Sequence, residues 1–177
     1  NQAYRLYTLA LADKPALSAM NKLRNNSDLS DIAKWRLAAA YTLIGRKDVA
    51  NDLIFRASKN INSYNESSNT FGSKTRDEAL ILETLVLMNE YDEGKSLIDN
   101  ITKKLASDDY LNTQATAFSL LAISKYIEAG GNAKSFDVDL IKNSKLETIK
   151  SNSAYKQIDL DVKSKAKGNL EFKNINE

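Results

Sequence analysis

Asn112 to Gly131, NTQATAFSLLAISKYIEAGG, is the longest strongly apolar helical pattern in the chain, and it ends at the sharpest change of texture. One stripe runs Leu111, Ala115, Phe118, Ala122 and a second runs Ala117, Leu120 (or Leu121), Ser124, Ile127. A helix that is apolar nearly all round belongs inside a layered structure, so this one is expected to be contacted from both sides. Everything before it reads as helix. Past Gly130 and Gly131 the period switches to two, the period of a half-buried strand.

In that tail Phe136, Val138 and Leu140 alternate with Ser135, Asp137 and Asp139. Tyr155, Gln157, Asp159 and Asp161 alternate with Lys156, Ile158, Leu160 and Val162. Shorter segments near Lys145 to Ile149 and Asn169 to Phe172 bring the expectation to about four strands, a sheet too small to hold together alone. The tail is therefore expected to complete a β domain whose other strands lie elsewhere in a longer protein.

Upstream, NQAYRLYTLALAD is already in mid-pattern, with Tyr4, Leu6, Tyr7, Leu9 (or Ala10) and Leu11 on more than one face. That helix is expected to be buried on two sides or to begin before Asn1, in a chain cut from a longer polypeptide. Asp13 ends it, and Pro15 fits the first turn of the next, where its missing N–H costs nothing. The second helix carries the stripe Leu17, Met20, Leu23. Ser30 is placed to cap a third helix that runs through Ile44 and sets Trp35 among small residues, and Gly45 stops it in a left-handed conformation. A fourth helix spans about Lys47 to Asn60, with Val49, Leu53, Ile54 and Ala57 inward.

INSYNESSNTFGSK, residues 61 to 74, has turn formers and no period, and reads as the longest and most mobile loop. A fifth helix follows from about Thr75, with Ala79, Leu82, Leu85 (or Val86) and Met88 (or Asn89) inward and acidic residues in its first turn. Asp92 is the expected cap of a sixth, whose stripe is Leu97, Ile98, Ile101 and Leu105. Short connections favour antiparallel hairpins. The rhythm is too irregular for a tetratricopeptide array, so a curved or closed arrangement of helical hairpins is the surviving expectation.

The chain has 177 residues and is 42% hydrophobic, with 25 basic and 23 acidic residues interspersed to a net charge of +2. This is the balance of a solvated surface rather than of a nucleic-acid footprint. No run reaches the roughly 18 apolar residues of a membrane span. The start lacks a signal-peptide succession, so any export signal is expected to have been removed or to lie outside these residues. There is no Cys, which removes disulfides, thiolate metal sites and a cysteine nucleophile. There is no His either, which removes the commonest general base and metal ligand.

Few side chains suggest chemistry, and each has a plainer reading. Tyr4, Tyr7 and Trp35 could line a groove, but aromatic residues at helical spacing are core. Thr113 and Gln114 read as a helix start capped by Asn112 or Thr113. Asp108 and Asp109 beside Asn112 supply hard oxygens, but the EF-hand pattern is absent and a polar turn accounts for them. Asp137 with Asp139, and Asp159 with Asp161, project from strand faces and read as solvated charge. Lys163, Lys165 and Lys167 protect a sheet edge. Asn25-Asn26-Ser27 and Asn65-Glu66-Ser67 match the glycosylation pattern, which short sequences meet by chance. Periodicity requires no buried carboxylate pair, and Glu83, in an otherwise apolar helix, comes nearest to a catalytic acid. A cluster of acids around Glu83 would favour an enzyme.

QAYRLYTLALADKPALSAMNKLR, then AKWRLAAAYTLIGRKDVA, then LNTQATAFSLLAISKY together resemble the later part of the thioester-type helical domain of bacterial alpha-2-macroglobulin proteins. The resemblance covers roughly residues 1 to 130. It implies an α/α toroid of hairpins in inner and outer rings, inserted into a β-sandwich to which the chain returns after Gly131. It also implies protease trapping, in which bait cleavage exposes a Cys–Gln thioester to attack by an amine. Without a Cys the chain itself holds no thioester, and neither Gln2 nor Gln114 can be its acyl partner.

The sequence therefore predicts a mainly α chain with a β tail: residues 1–130 as part of an α/α toroid, and 131–177 as sandwich strands. The function implied is that of a non-catalytic fragment of an alpha-2-macroglobulin-like protease inhibitor, periplasmic or exposed at the cell envelope of a bacterium. Its expected partners are proteases, met through the full-length parent, and the adjoining domains of the same polypeptide. No nucleic acid, membrane insertion, catalytic residue, cofactor or metal ligand is expected. The alternative is a helical-repeat interaction module without trapping chemistry.

Overall fold

A computed structural model describes residues 1–64, 66, 71–129, 136–142, 145–151 and 170–174. Among them lie seven helices, α1 (Gln2–Leu11), α2 (Leu17–Arg24), α3 (Asp31–Leu43), α4 (Lys47–Phe55), α5 (Lys74–Met88), α6 (Tyr91–Leu105) and α7 (Thr113–Ala129). Three strands follow, β1 (Phe136–Lys142), β2 (Lys145–Ser151) and β3 (Leu170–Asn174). The chain divides into two compact units, Asn1–Ala129 and Gly130–Glu177. It is mainly helical with a β tail, as the change of period predicts.

In the first unit the odd-numbered helices form one layer, α1 beside α3, α3 beside α5 and α5 beside α7. The even-numbered helices return on the other side: α2 against α1 and α3, α4 against α3, α6 against α5 and α7. Helix α3 serves two cores because small residues occupy its middle. Leu37 to Tyr41 pack with Leu6, Tyr7, Met20 and Leu53, while Trp35 packs with Ile81, Leu82, Leu97 and Ile101. The Trp35 indole N–H donates to the Ser58 carbonyl at 2.9 Å, which satisfies the polar end of a buried ring.

Several local signals fall where the sequence puts them. Gly45 has φ +76° and ends α3. Asn112 caps α7, its Oδ1 accepting from the Ala115 N–H at 2.8 Å. Others need correction. Ser30 occupies the N-cap position of α3 but accepts no side-chain bond. Asp92 is not a cap, because α6 begins at Tyr91 with Glu90 in the N-cap position, one residue after Asn89, whose φ of 65° closes α5. Pro15 precedes α2 by two residues, and α4 stops at Phe55 rather than near Asn60. In the segment after α4, the described ends are tied down: the Glu66 N–H donates to the Gly72 carbonyl and the Tyr64 hydroxyl to Asp77.

The largest correction concerns which helix lies deepest. Helix α7 buries only Ala115, Ser119 and Ala122, and leaves Leu120 57%, Leu121 44% and Ile127 40% exposed. It is contacted from one side, chiefly by α5, because no other described helix lies across its second stripe. Helix α1 is likewise buried along one stripe, Ala3, Leu6, Tyr7 and Ala10. The helix enclosed all round is α5, in which twelve residues are buried, Asp77, Glu78 and Glu83 among them. Overall apolarity misled because a charged residue can be buried when its charge is matched.

In the second unit the strand order is β2-β1-β3, antiparallel throughout, with Val138 opposite Ile149 and Leu140 opposite Phe172. The opposite face carries Asp137 paired with Lys150 at 3.2 Å and Asp139 accepting from Thr148 at 2.7 Å, so the first aspartate pair is charge on a polar face. The diglycine, the Tyr155 to Val162 segment with Asp159 and Asp161, and Lys163, Lys165 and Lys167 lie outside the described residues.

Replacing Trp35 with Ala removes a fully packed ring and is expected to cost about 3–5 kcal/mol in urea unfolding. Gly45→Ala, which forces an L side chain into the left-handed region, is expected to cost roughly 1–2 kcal/mol in the same assay.

Candidate functional site

Glu83 points from the most enclosed helix into the layer of odd-numbered helices, and one side chain from each of the other three reaches it. Arg36 Nη2 from α3 lies 2.6 Å from Oε2, Lys125 Nζ from α7 lies 2.6 Å from Oε1, and the Tyr7 hydroxyl from α1 donates to Oε1 at 3.0 Å. Arg36 and Glu83 are each 3% exposed. The Arg36 contact is an ion pair without an aligned hydrogen bond, since Oε2 has no hydrogen-bond partner and neither have Arg36 Nε and Nη1. The guanidinium instead lies over two rings, with Cζ 4.0 Å from the Tyr7 centroid and 5.2 Å from that of Tyr4.

The electrostatics favour the charged form of Glu83. Burial alone would raise its pKa, but Arg36 and Lys125 outweigh burial and hold the carboxyl below its ordinary value. Tyr7 is pushed well above its ordinary value, by burial first and by the Glu83 charge second, so it stays a neutral donor. The neighbours of Glu83 are two cations and a phenol, not the acids a carboxylate dyad requires. With two cations against one anion, the cluster carries one positive charge in excess. Among the described residues, no group of three or more His, Cys, Asp or Glu gathers as a metal site.

A cleft of about 540 Å³ opens beside this cluster, and every odd-numbered helix contributes to it from its N-terminal end. Tyr4 and Phe118 form an edge-to-face wall with ring centroids 6.0 Å apart, Leu80 and Ala117 add apolar surface, and Arg36 lies at the base. Thr113 and Gln114 are exposed on its rim at the start of α7. Tyr4, expected in the core with Tyr7 and Trp35, is 41% exposed and lines the cleft instead.

The remaining candidates are accounted for locally. Asp109 is held by Lys104, which lowers its pKa, and by Ser107, while Asn112 caps α7 and also donates to the Phe71 carbonyl. Those oxygens serve a turn and do not converge on a cation. A second cleft, about 570 Å³, joins Tyr64, Lys74, Glu78 and Lys103. Glu78 shifts the opposite way from Glu83, because burial raises its pKa more than Lys74 and Asn100 lower it.

Arg36, Lys125 and Tyr7 were not legible as partners of Glu83 from spacing, because each lies on a different helix. One signal was present: an arginine inside AKWRLAAAYTLI and a glutamate inside ALILETLVLM each interrupt an apolar helix, and two such interruptions of opposite sign suit each other.

No family model matches this sequence, and no curated protein does either. Several solved structures share its fold. Native alpha-2-macroglobulin from Escherichia coli, from domain MG7 to the C-terminus, is 19% identical with a TM-score of 0.58, over 98% of this chain and 25% of that one. Escherichia coli alpha-2-macroglobulin activated by porcine elastase is 18% identical with a TM-score of 0.56, over 98% of this chain and 14% of that one. A Salmonella alpha-2-macroglobulin mutant is 20% identical with a TM-score of 0.59, over 86% of this chain and 10% of that one. At these identities the likeness is one of fold, and this chain spans a quarter or less of each of those proteins.

Replacing Glu83 with Gln leaves buried cations without their counter-charge and is expected to cost about 3–5 kcal/mol. A carboxyl whose folded pKa is depressed stabilises the fold above its unfolded value, about 4.3, and that contribution is lost as pH falls through the folded value. Urea unfolding from pH 7 down to 2 is expected to show the gap between wild type and Glu83→Gln narrowing below about pH 4; comparison within this pair cancels the opposite contribution of Glu78.

Proposed function

We propose that this chain is a non-catalytic part of a bacterial alpha-2-macroglobulin-like protease inhibitor: the later part of its thioester-type helical domain, followed by strands of an adjoining β domain. The observation that carries the reading is the fold likeness, which runs through both units, over 98% of the chain. The two layers of alternating helices suit inner and outer rings of an α/α toroid. In that reading the exposed apolar face of α7, with Leu120, Leu121 and Ile127, is covered by other parts of the parent.

The role of the chain is mechanical. A buried charge cluster linking four helices resists independent movement of any one of them, which suits an element that transmits a rearrangement between domains. Protease partners, and exposure in the periplasm or at the cell envelope, belong to the parent in this reading. Among the described residues, no helix is long and apolar enough to cross a membrane. Since the chain lacks cysteine, any covalent step requires a Cys-x-x-Gln motif elsewhere in the parent.

The test is to incubate the full-length parent with elastase. The expected result is a mobility shift on native gels, with the bound protease still cleaving a small chromogenic peptide but no longer a large protein substrate. Unshifted parent with elastase fully active on both substrates contradicts the proposal. Methylamine followed by a thiol assay then separates covalent from noncovalent trapping: a released thiol shows a thioester in the parent.

A further inference from the structure

The second cleft, about 570 Å³, is lined mostly by polar side chains, and two helices face each other across it. Helix α5 presents Lys74, Thr75 and Glu78 from its start, and α6 presents Asn100, Lys103 and Lys104 from its end. Spacings of three and four keep each set on one helix face. Thr75 and Glu78 are only 7% and 6% exposed, yet both line the cleft. Burial raises the pKa of Glu78 more than Lys74 and Asn100 lower it. Lys74 Nζ approaches the Glu78 carboxylate only to 3.8 Å, so each hydrogen-bond donor that a ligand brings stabilises that charge.

An independent observation lies at the rim. Tyr110 is 86% exposed and Tyr64 41%, and both line this cleft. The Tyr64 ring is held in place, because its hydroxyl donates to Asp77 at 2.5 Å. A tyrosine ring offers a flat apolar face with a polar tip, and two of them beside a polar cleft suit a ligand with an apolar face and hydrogen-bonding edges. A pyranose has that character: ring C–H groups form its face, and each hydroxyl both donates and accepts. The charges favour a neutral ligand. Lys74 faces Glu78 and Lys104 pairs with Asp109, which leaves Lys103 over among the charged residues that line the cleft.

We propose that this cleft binds a neutral saccharide, with hydroxyls at Glu78, Thr75 and Asn100 and the face of a sugar ring on Tyr110. Its volume lies within the range of about 300–1,000 Å³ that small-molecule sites span. A purely apolar ligand would leave the enclosed Glu78 and Thr75 unanswered. An anion would meet the Glu78 carboxylate and a cation would meet Lys103, and like charges brought together cost affinity. The proposal is independent of protease trapping and stands or falls without it.

Heteronuclear NMR titration of the 177-residue chain with cellotriose, maltotriose and tri-N-acetylchitotriose, each alone, tests it. Saturable amide shifts centred on Thr75, Glu78 and Asn100 are expected with at least one of them. Tyr110→Ala, which removes an exposed ring and little packing, is expected to weaken that binding about tenfold, and Glu78→Gln by a similar factor. Phe55→Ala, which removes a ring 91% exposed outside the cleft, is expected to bind as wild type does. Should Glu78→Gln fail to fold, Thr75→Val takes its place by removing the neighbouring hydroxyl at nearly constant volume. No saturable shift with any of the three sugars at about 10 mM, or shifts centred elsewhere, overturns the proposal. So does tighter binding of trigalacturonate than of every neutral trisaccharide, or undiminished binding by either folded cleft variant.

Discussion

One carboxylate, Glu83, is shared by four helices. It lies on the helix that is enclosed all round, and its partners Tyr7, Arg36 and Lys125 come one each from α1, α3 and α7. Such a charge is costly to bury alone and tolerable only when matched. The register of all four helices is therefore constrained at one point: sliding any of them by a turn, about 5.4 Å, strips Glu83 of a partner. Apolar packing offers no comparable constraint, since aliphatic side chains of similar volume exchange places at little cost.

The same arrangement explains why the layers are unequal. Small residues along α3, Ala38 to Ala40, let α1, α4 and α5 approach it, and Gly94 does the same for α6, where an added Cβ would meet Leu82 Cδ1 at 2.8 Å. Glu83 lies on the layer of odd-numbered helices, so that layer is pinned by a buried charge cluster, while α2 and α6 are tied to it by neutral hydrogen bonds such as Tyr41 to Asn21 and Tyr126 to the Tyr91 carbonyl. The cleft at the starts of the odd-numbered helices follows from the same geometry, because helices held side by side in one direction bring their N-termini together.

Element existence was legible from sequence, and enclosure was not. The seven helices and the switch to strands follow from periods of 3.6 and two, and Gly45 and Asn112 mark ends through backbone and cap chemistry that acts within a few residues. Whether α5 or α7 lies deeper depends on what packs against each from distant parts of the chain. The pattern of α7 is apolar on two faces, yet Leu120 and Ile127 remain exposed. The pattern of α5 includes three acids, yet they are buried because Lys74, Arg76, Arg36 and Lys125 meet them. Single charges inside apolar helices, Arg36 and Glu83, were the visible part of the candidate site; their pairing is a property of tertiary structure.

The proposed mechanical role requires the odd-numbered layer to behave as one body. Native-state amide hydrogen exchange on wild type and Glu83→Gln measures that directly. The account predicts that the substitution lowers protection of α1, α3 and α7 together, by similar free energies, while α2 and α4 change less. Loss of protection confined to α5, with α1 and α7 exchanging as in wild type, would contradict it.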